Sequence, residues 1–397
     1  MEFRFTAKQE SFRGEVRSFL GASLPADWEG TDNPFDEEAF EFGREFLRKL
    51  APKHWIAPAW PQEYGGAGLS LWEQVVFNEE MAYAGSPLIN AAAVGYLGPT
   101  VIIYGTEEQK AQHLSGITSG EVIWCQGYSE PESGSDLASL QMRAVQDGDD
   151  FVINGQKIWT SQAHYADWIF VLARTDPEAP KHRGISYFLV DMKSPGITVR
   201  PLVNMANQRG FNEVFFENVR VPRSGLLGEE NRGWYMATTT LDFERSNVAT
   251  SASYQRVLST LTSFAKETRV GGHAPPNGKT LFEQPLVRHK LAELWIELSI
   301  ARFLSYRVVT MQERGMVPNY EASIIKVFNS EFYQRMAGAG LHIMGLYGQL
   351  EAGSPYAPLQ GKFERSYVGS VGSTIAAGTS EIQRNIIAQR GLGLPRG

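Results

Sequence analysis

Apolar positions recur at helical spacing in the first and last thirds of the chain and in short strand-like runs between them. The stretch "TAKQESFRGEVRSFL" opens with Thr6 and Gln9 in capping-box spacing, and Phe12, Val16 and Phe19 follow on one helical face. The same period predicts helices in "DEEAFEFGREFLRKL" and "LWEQVVFNEEMAYA", separated by the Pro/Gly loop "WPQEYGGAGLS". From about residue 121 the period changes. "WIFVLART", "ISYFLVDM", "ITVRPL" and "NEVFFENVRVP" are short, β-branched and aromatic, and Asn154-Gly155 in "FVINGQKIW" predicts a hairpin turn. After "GEENRGW" the helical period returns. Val287, Leu291, Leu294, Leu298, Ala301, Leu304 and Val308 step by three and four, as in a long helix of a bundle. The segment "TRVGGHAPPNGKT" interrupts this part as a loop.

Helices, strands, helices in that order give an α+β chain with three expected domains: 1–120 helical, 121–233 an antiparallel β domain, and 234–397 helical again. Composition narrows what such a chain does. With 37 basic and 44 acidic residues the net charge is −7, and no basic cluster marks a nucleic-acid footprint. A single cysteine, Cys125, excludes an intrachain disulfide and fits a reducing compartment. The start "MEFRFTAKQE" has no signal-peptide pattern, and no apolar run reaches the ~18 residues of a membrane span. The expectation is a cytoplasmic protein.

Several chemistries find no support. The histidines at 54, 113, 164, 182, 273, 289 and 342 are scattered without metal-ligand spacing. Cys125 sits in the apolar "VIWCQG" and reads as a small buried hydrophobe. No Gly-x-Ser-x-Gly elbow, Walker loop or Rossmann fingerprint is present. Three stretches carry more. "SEPESGSDLASL" follows a strand and supplies Ser129, Gly134, Ser135 and Asp136, donors that suit a pyrophosphate, although such residues also make ordinary turns. In "NGQKIWTSQAHYAD", Trp159 precedes Thr160 and Ser161 at a strand end, consistent with a ring platform or with core packing. "STIAAGTSEIQRNIIAQRGLGLP" puts Gly378 and Thr379 ahead of a helix, the layout of an anion-holding terminus.

The ordered set "YSEPESGSDLAS", "NGQKIWTS", "VRVPRSGLLGEENRGW" and "GTSEIQRNIIAQR" resembles the acyl-CoA dehydrogenase flavoproteins over essentially the whole chain. The resemblance implies an N-terminal helical domain, a central β-barrel-like domain and a C-terminal four-helix bundle. It implies FAD held by Ser129, Gly134 and Ser135, with Trp159 against the flavin ring and Ser161 near its reactive nitrogen. Thr379, Glu381 and Gln383 would bind FAD at the C-terminal loop. The family's arginine that reaches the partner's FAD has Arg269 as its counterpart, in a segment that departs from the family's pattern, as does "HIMGLYG". An oligomer is implied, a homotetramer or an α2β2 heterotetramer, with electron-transferring flavoprotein as acceptor.

Oxidising an acyl-CoA requires a carboxylate to take the proton next to the thioester carbonyl and donors on the thioester oxygen. The family's usual glutamate position before Gly-Thr is Ala377 here. A minority of the family carries the base on a helix of the C-terminal domain, and Glu244 in "TTLDFERSNVATSA" falls on that position. Asp242 and Arg245 would lie near the pantetheine and its phosphates, Ser135 near the substrate, and the Ala377 N–H would polarise the thioester. Alanines at 376 and 377 leave room for a branched or ring-bearing acyl group, as in dehydrogenases of fatty acid β-oxidation and steroid catabolism. The competing readings are a flavin monooxygenase or oxidase on the same fold, a partner subunit of a heteromeric dehydrogenase, and a DNA-protecting relative; Glu244 and the −7 charge weigh against them.

Overall fold

The computed structural model describes residues 4–30, 36–240, 248–270 and 278–395. In chain order these form α1 (Ala7–Ser23), α2 (Glu37–Leu50), α3 (Leu71–Tyr83), α4 (Gly98–Tyr104) and α5 (Glu107–Thr118), followed by the strands. The strands are β1 (Trp124–Gly127), β2 (Arg143–Asp147), β3 (Asp150–Ser161), β4 (Trp168–Arg174), β5 (Ile185–Asp191), β6 (Ile197–Leu202), β7 (Phe211–Pro222) and β8 (Leu226–Leu227). Then come α6 (Gly233–Thr240), α7 (Val248–Glu267), α8 (Pro285–Glu313), α9 (Tyr320–Met344), α10 (Lys362–Ser373) and α11 (Ser380–Ile386). The capping box of α1 is present, with Thr6 Oγ1 accepting from Gln9 N–H and Gln9 Oε1 from Thr6 N–H.

The chain divides into two compact units. One, the helical unit, comprises Met1–Asp32, Leu71–Ser86 and Arg245–Gly397; the other, the sheet unit, comprises Asn33–Ser70 and Pro87–Glu244. The sheet runs β6-β7-β3-β2-β4-β5-β8, with β1 paired to β4. Most pairings are antiparallel, as expected, but β1 and β2 both meet β4 in parallel. β4 is buried along its length because both faces are covered. Phe170 and Leu172 face a core shared with α4, α5 and α6, while Ile169, Val171 and Ala173 face Phe151, Phe188, Val214 and Phe216. Cys125 lies in β1, 1% exposed, and burial pushes its thiol pKa up, so it serves as a packing residue.

One expectation is corrected. Asn154-Gly155 makes no hairpin; it lies inside β3, where the register against β7 shifts between Ile153 and Gly155. Asn154 holds this bulge by accepting the Asn218 N–H at 2.8 Å. A side chain at Gly155 would put its Cβ 2.8 Å from Met142 Cα, so the turn-forming glycine serves a close approach instead. The hairpin lies six residues earlier, where Asp147 pairs with Asp150 around Gly148 at φ 65°.

In the helical unit, the sequence-predicted stripe of α8 buries Leu291, Leu294, Leu298, Ala301 and Val308. Leu291, Leu294 and Leu298 pack with Leu258, Leu261, Phe332, Met336 and Phe363 from α7, α9 and α10. An ionic network joins α1, α3 and α8. Arg13 donates to Glu80 at 2.7 Å and to Glu79 at 3.3 Å, Arg17 to Glu80 at 2.8 Å, and Arg302 and Tyr306 both to Glu79, Arg302 at 2.9 Å.

Candidate functional site

In the sheet unit, the loop leaving β1 begins at Ser129 and turns back at residue 141. Glu130 and Ser133 close a tight bridge by exchanging backbone hydrogen bonds. The chain beyond it presents Gly134, Ser135 and Asp136 at the surface. Among the described residues the Gly134 and Ser135 N–H groups have no protein acceptor. Ser133 is 1% exposed, and its hydroxyl lacks a hydrogen-bond partner among the described residues. Burying an unsatisfied hydroxyl is costly, and together with free N–H donors it fits an anionic ligand seated against the loop. Asp136, whose carboxyl Lys181 and Ser139 hold below its ordinary range, is committed to those two partners.

The far end of β3 carries the aromatic platform. The register against β7 shifts a second time between Lys157 and Thr160. Trp159 sits in that irregularity at φ 60°, a left-handed conformation that costs a bulky residue of order 1 kcal/mol or more. Its ring is 58% exposed, so core packing is not its role; it meets Phe211 edge-on at 6.1 Å. The strain turns out of the sheet a large apolar ring that would otherwise be buried. Thr160 points inward with a hydroxyl that has no partner among the described residues, and Ser161 is exposed. Asn212 fixes this end by donating to the Thr160 carbonyl at 2.9 Å, and the same side chain meets His164 at 3.0 Å. One backbone bond, Ile158 N–H to the Ser129 carbonyl at 2.9 Å, sets the platform beside the donor loop.

Beneath both lies a pair that the sequence reading did not single out. Lys157 is fully buried and donates to Glu130 at 2.7 Å and to the Tyr128 carbonyl at 3.2 Å. Burial lowers the ammonium pKa to about 8, with Glu130 opposing the fall. The alternation of β3, in which Ile153 is buried and residue 157 falls on the same face, was the available signal.

In the helical unit, Thr379 caps α11 and accepts the Ile382 N–H at 3.2 Å. Gln383 donates to the Ala377 carbonyl at 3.0 Å, which holds Ala377 at φ 54° and Gly378 at φ 84°. The Ala377 N–H has no protein acceptor among the described residues. Hydrogen bonds from its own backbone N–H and from Thr379 keep the exposed Glu381 carboxyl below its ordinary range. Ser380 and Glu381 line an open polar cleft of about 370 Å³ with Gln334, Thr374 and Arg384.

The residues expected around a flavin thus fall in two groups: Ser129, Gly134, Ser135, Trp159 and Ser161 in the sheet unit, and Arg269, Thr379, Glu381 and Gln383 in the helical unit. Arg269 donates to the Gly278 carbonyl, and its backbone bridges to Thr280. Asp242, Glu244 and Arg245 lie outside the described residues. Among those described, no cluster of His, Cys, Asp and Glu could hold a metal ion, and no helix is long and apolar enough to cross a membrane.

A helix–sheet–helix chain with a donor loop, an exposed tryptophan on a strained strand end and a Gly-Thr helix cap has the parts of a nucleotide-cofactor oxidoreductase. The chain belongs to the acyl-CoA dehydrogenase family, enzymes known to bind FAD: residues 6–121, 125–219 and 231–392 match that family's N-terminal, middle and C-terminal domains. It is 37% identical over 394 residues to acyl-CoA dehydrogenase IpdE1 of Mycobacterium tuberculosis, covering 98% of each chain. Among solved structures, the Tcur3481-Tcur3483 steroid ACAD is similar at TM-score 0.89 and 35% identity over 100% of both chains. The ChsE4-ChsE5 complex from Mycobacterium tuberculosis is similar at TM-score 0.88 and 33% identity over 100% of both.

Proposed function

We propose that this enzyme is an FAD-dependent dehydrogenase of acyl-CoA thioesters with branched or ring-bearing acyl groups, forming the 2,3-enoyl-CoA. The observation that carries the reading is the exposed, strained Trp159 tied through Ile158 to a loop with free N–H donors. Ser129, Gly134 and Ser135 would hold the cofactor's pyrophosphate side, Trp159 would lie against its ring, and Ser161 would donate near the reactive nitrogen. Thr379, Glu381 and Gln383 complete the cofactor contacts from the C-terminal loop. FAD held there would supply the hydride acceptor for the β-carbon of the acyl chain.

The chain's own residues do the rest. Glu244 takes the α-proton, and the free N–H of Ala377 hydrogen-bonds the thioester oxygen as negative charge develops there. Ser135 contacts the substrate, and Asp242 and Arg245 meet the pantetheine and phosphates. The small side chains of Ala376 and Ala377 leave space beside the acyl chain, and the steroid ACAD among the similar structures supports a bulky substrate. The acceptor of the reduced flavin's electrons is an electron-transferring flavoprotein.

The assembly is oligomeric, and an α2β2 heterotetramer is favoured over a homotetramer by two observations. Arg269, the expected cross-subunit contact, donates to the Gly278 carbonyl of its own chain, and ChsE4-ChsE5 is a complex of two different proteins.

Anaerobic titration with straight, branched and steroid-side-chain acyl-CoAs tests the reading. Bleaching of the flavin absorbance by the bulky classes is expected. A bound flavin that no acyl-CoA bleaches contradicts it, and if that flavin is reduced by another substrate and reoxidised rapidly in air, the oxidase reading takes its place.

A further inference from the structure

We infer that the buried Glu130–Lys157 pair is a positioning device that sets the donor loop and the Trp159 platform in one fixed geometry for flavin binding. The inference rests on the flavin reading above and adds two residues that touch no cofactor.

The connectivity carries it. The Glu130 carboxylate stands at the start of the loop and accepts the N–H groups of Gln141 and Met142 at its end. One side chain therefore pins both feet of the segment that contains Gly134 and Ser135. Lys157 adds a third donor to the same carboxylate from β3, two residues before Trp159, and a fourth bond to the Tyr128 carbonyl ahead of the loop. Arg174 of β4 holds the loop's middle by donating to the Ala138 carbonyl at 2.7 Å. Room for the lysine stem comes from Gly127: a Cβ there would stand 3.3 Å from Lys157 Cγ and 2.7 Å from Val171.

Stability alone does not call for this arrangement, since two well-packed apolar side chains commonly match or exceed a buried ion pair. An apolar pair would fill the space without fixing where residues 130, 141 and 157 stand relative to one another. Four directional bonds do fix it, and the groups so fixed are the loop and strand end that face the cofactor.

The test uses the full-length protein and FAD, with Lys157→Met and Glu130→Gln. Arg13→Met, which breaks the ionic network of the helical unit, serves as a stability control. FAD affinity is read by flavin fluorescence quenching, the environment of bound flavin by its visible spectrum, and stability by urea unfolding of the flavin-free protein. Lys157→Met is expected to weaken FAD binding by about 10- to 100-fold, as loss of a supporting residue does at other cofactor sites, and to move the bound spectrum toward that of free flavin. Arg13→Met, destabilised to a similar degree, keeps the wild-type affinity and spectrum.

Wild-type affinity and spectrum in a folded Lys157→Met protein overturn the inference, as does an equal loss of FAD from Arg13→Met. If Lys157→Met does not fold, Glu130→Gln decides by the same readouts, and failure of both to fold marks the pair as general scaffold and overturns the positioning role. A wild-type protein that takes up no FAD, either alone or co-expressed with the second subunit of the proposed heterotetramer, overturns the flavin reading itself, and the inference with it.

Discussion

The helical unit and the sheet unit both bury carboxylates against cations, yet the two clusters tie down different things. Arg13, Arg17, Arg302 and Tyr306 share Glu79 and Glu80 across three helices, of which α3 and α8 also meet through Val75 and Val309. Extra partners there are redundant, because Glu80 keeps Arg17 when Arg13 is removed. Glu130 and Lys157 make a pair with no second cation in hydrogen-bonding reach among the described residues, and their bonds go to loop backbone instead of to neighbouring helices. A network that spreads charge over several helices secures an interface between them. A single pair that spends its bonds on the main chain fixes the shape of a loop.

Removing the shared arginine should give the largest effect on stability within the helical unit. Arg13→Met leaves two buried carboxylates with fewer partners, and a loss of about 3 kcal/mol is expected, at the low end for a broken buried pair because Arg17 and Arg302 remain. Urea unfolding measures it, and a flavin affinity that falls in step would erase the contrast between the clusters.

Acid should separate the two units next. Burial between Trp124 and Trp168 lowers the His113 pKa from 6.5 to about 4. The unfolded chain then binds a proton first, so stability falls as pH drops from 6.5 toward about 4, by up to roughly 3 kcal/mol. Burial shifts His164 in the same direction, with Asn212 opposing. For Glu80, burial acts upward but the hydrogen bonds and charges of Arg17 and Arg13 prevail and lower the pKa below 4.5. Its contribution is present above 4.5 and is lost only as pH falls below that value. The sheet unit is therefore expected to weaken at higher pH than the ionic network does. Hydrogen exchange across pH 4–7 resolves the two, and His113→Phe should flatten the upper limb; the opposite order would contradict the assignment.

The smallest stability effect has the sharpest functional contrast. Trp159→Gly relieves the left-handed backbone and should stabilise the flavin-free protein by about 1 kcal/mol or leave it unchanged. Flavin affinity should nonetheless fall. A stability loss would mean that the exposed ring contributes to packing after all.

Much of this was legible from residue order. The helix periods, the α1 capping box and the strand run all appear where the pattern put them, because each depends on neighbours within a turn or a pleat. Asn154-Gly155 was misread because a left-handed or extended glycine suits a turn and a bulge equally, and only the partner strand β7 decides between them. Trp159 stood between core packing and platform on sequence alone; the register shift that exposes it is again set across strands. Lys157 went unnoticed because a lysine among polar residues reads as surface, and its partner lies 27 positions away. Glu244 was proposed through resemblance alone, since a Glu-Arg pair in a sequence has no local mark of catalysis.

The central claim is that the base has moved to Glu244 from the position now held by Ala377. The most direct measurement is stopped-flow flavin reduction in Glu244→Gln under anaerobic conditions with the acyl-CoA that bleaches the wild-type enzyme. The account predicts unchanged flavin content and a reduction rate lower by at least about 100-fold, the least expected from losing a general base. Reduction at the wild-type rate would contradict it.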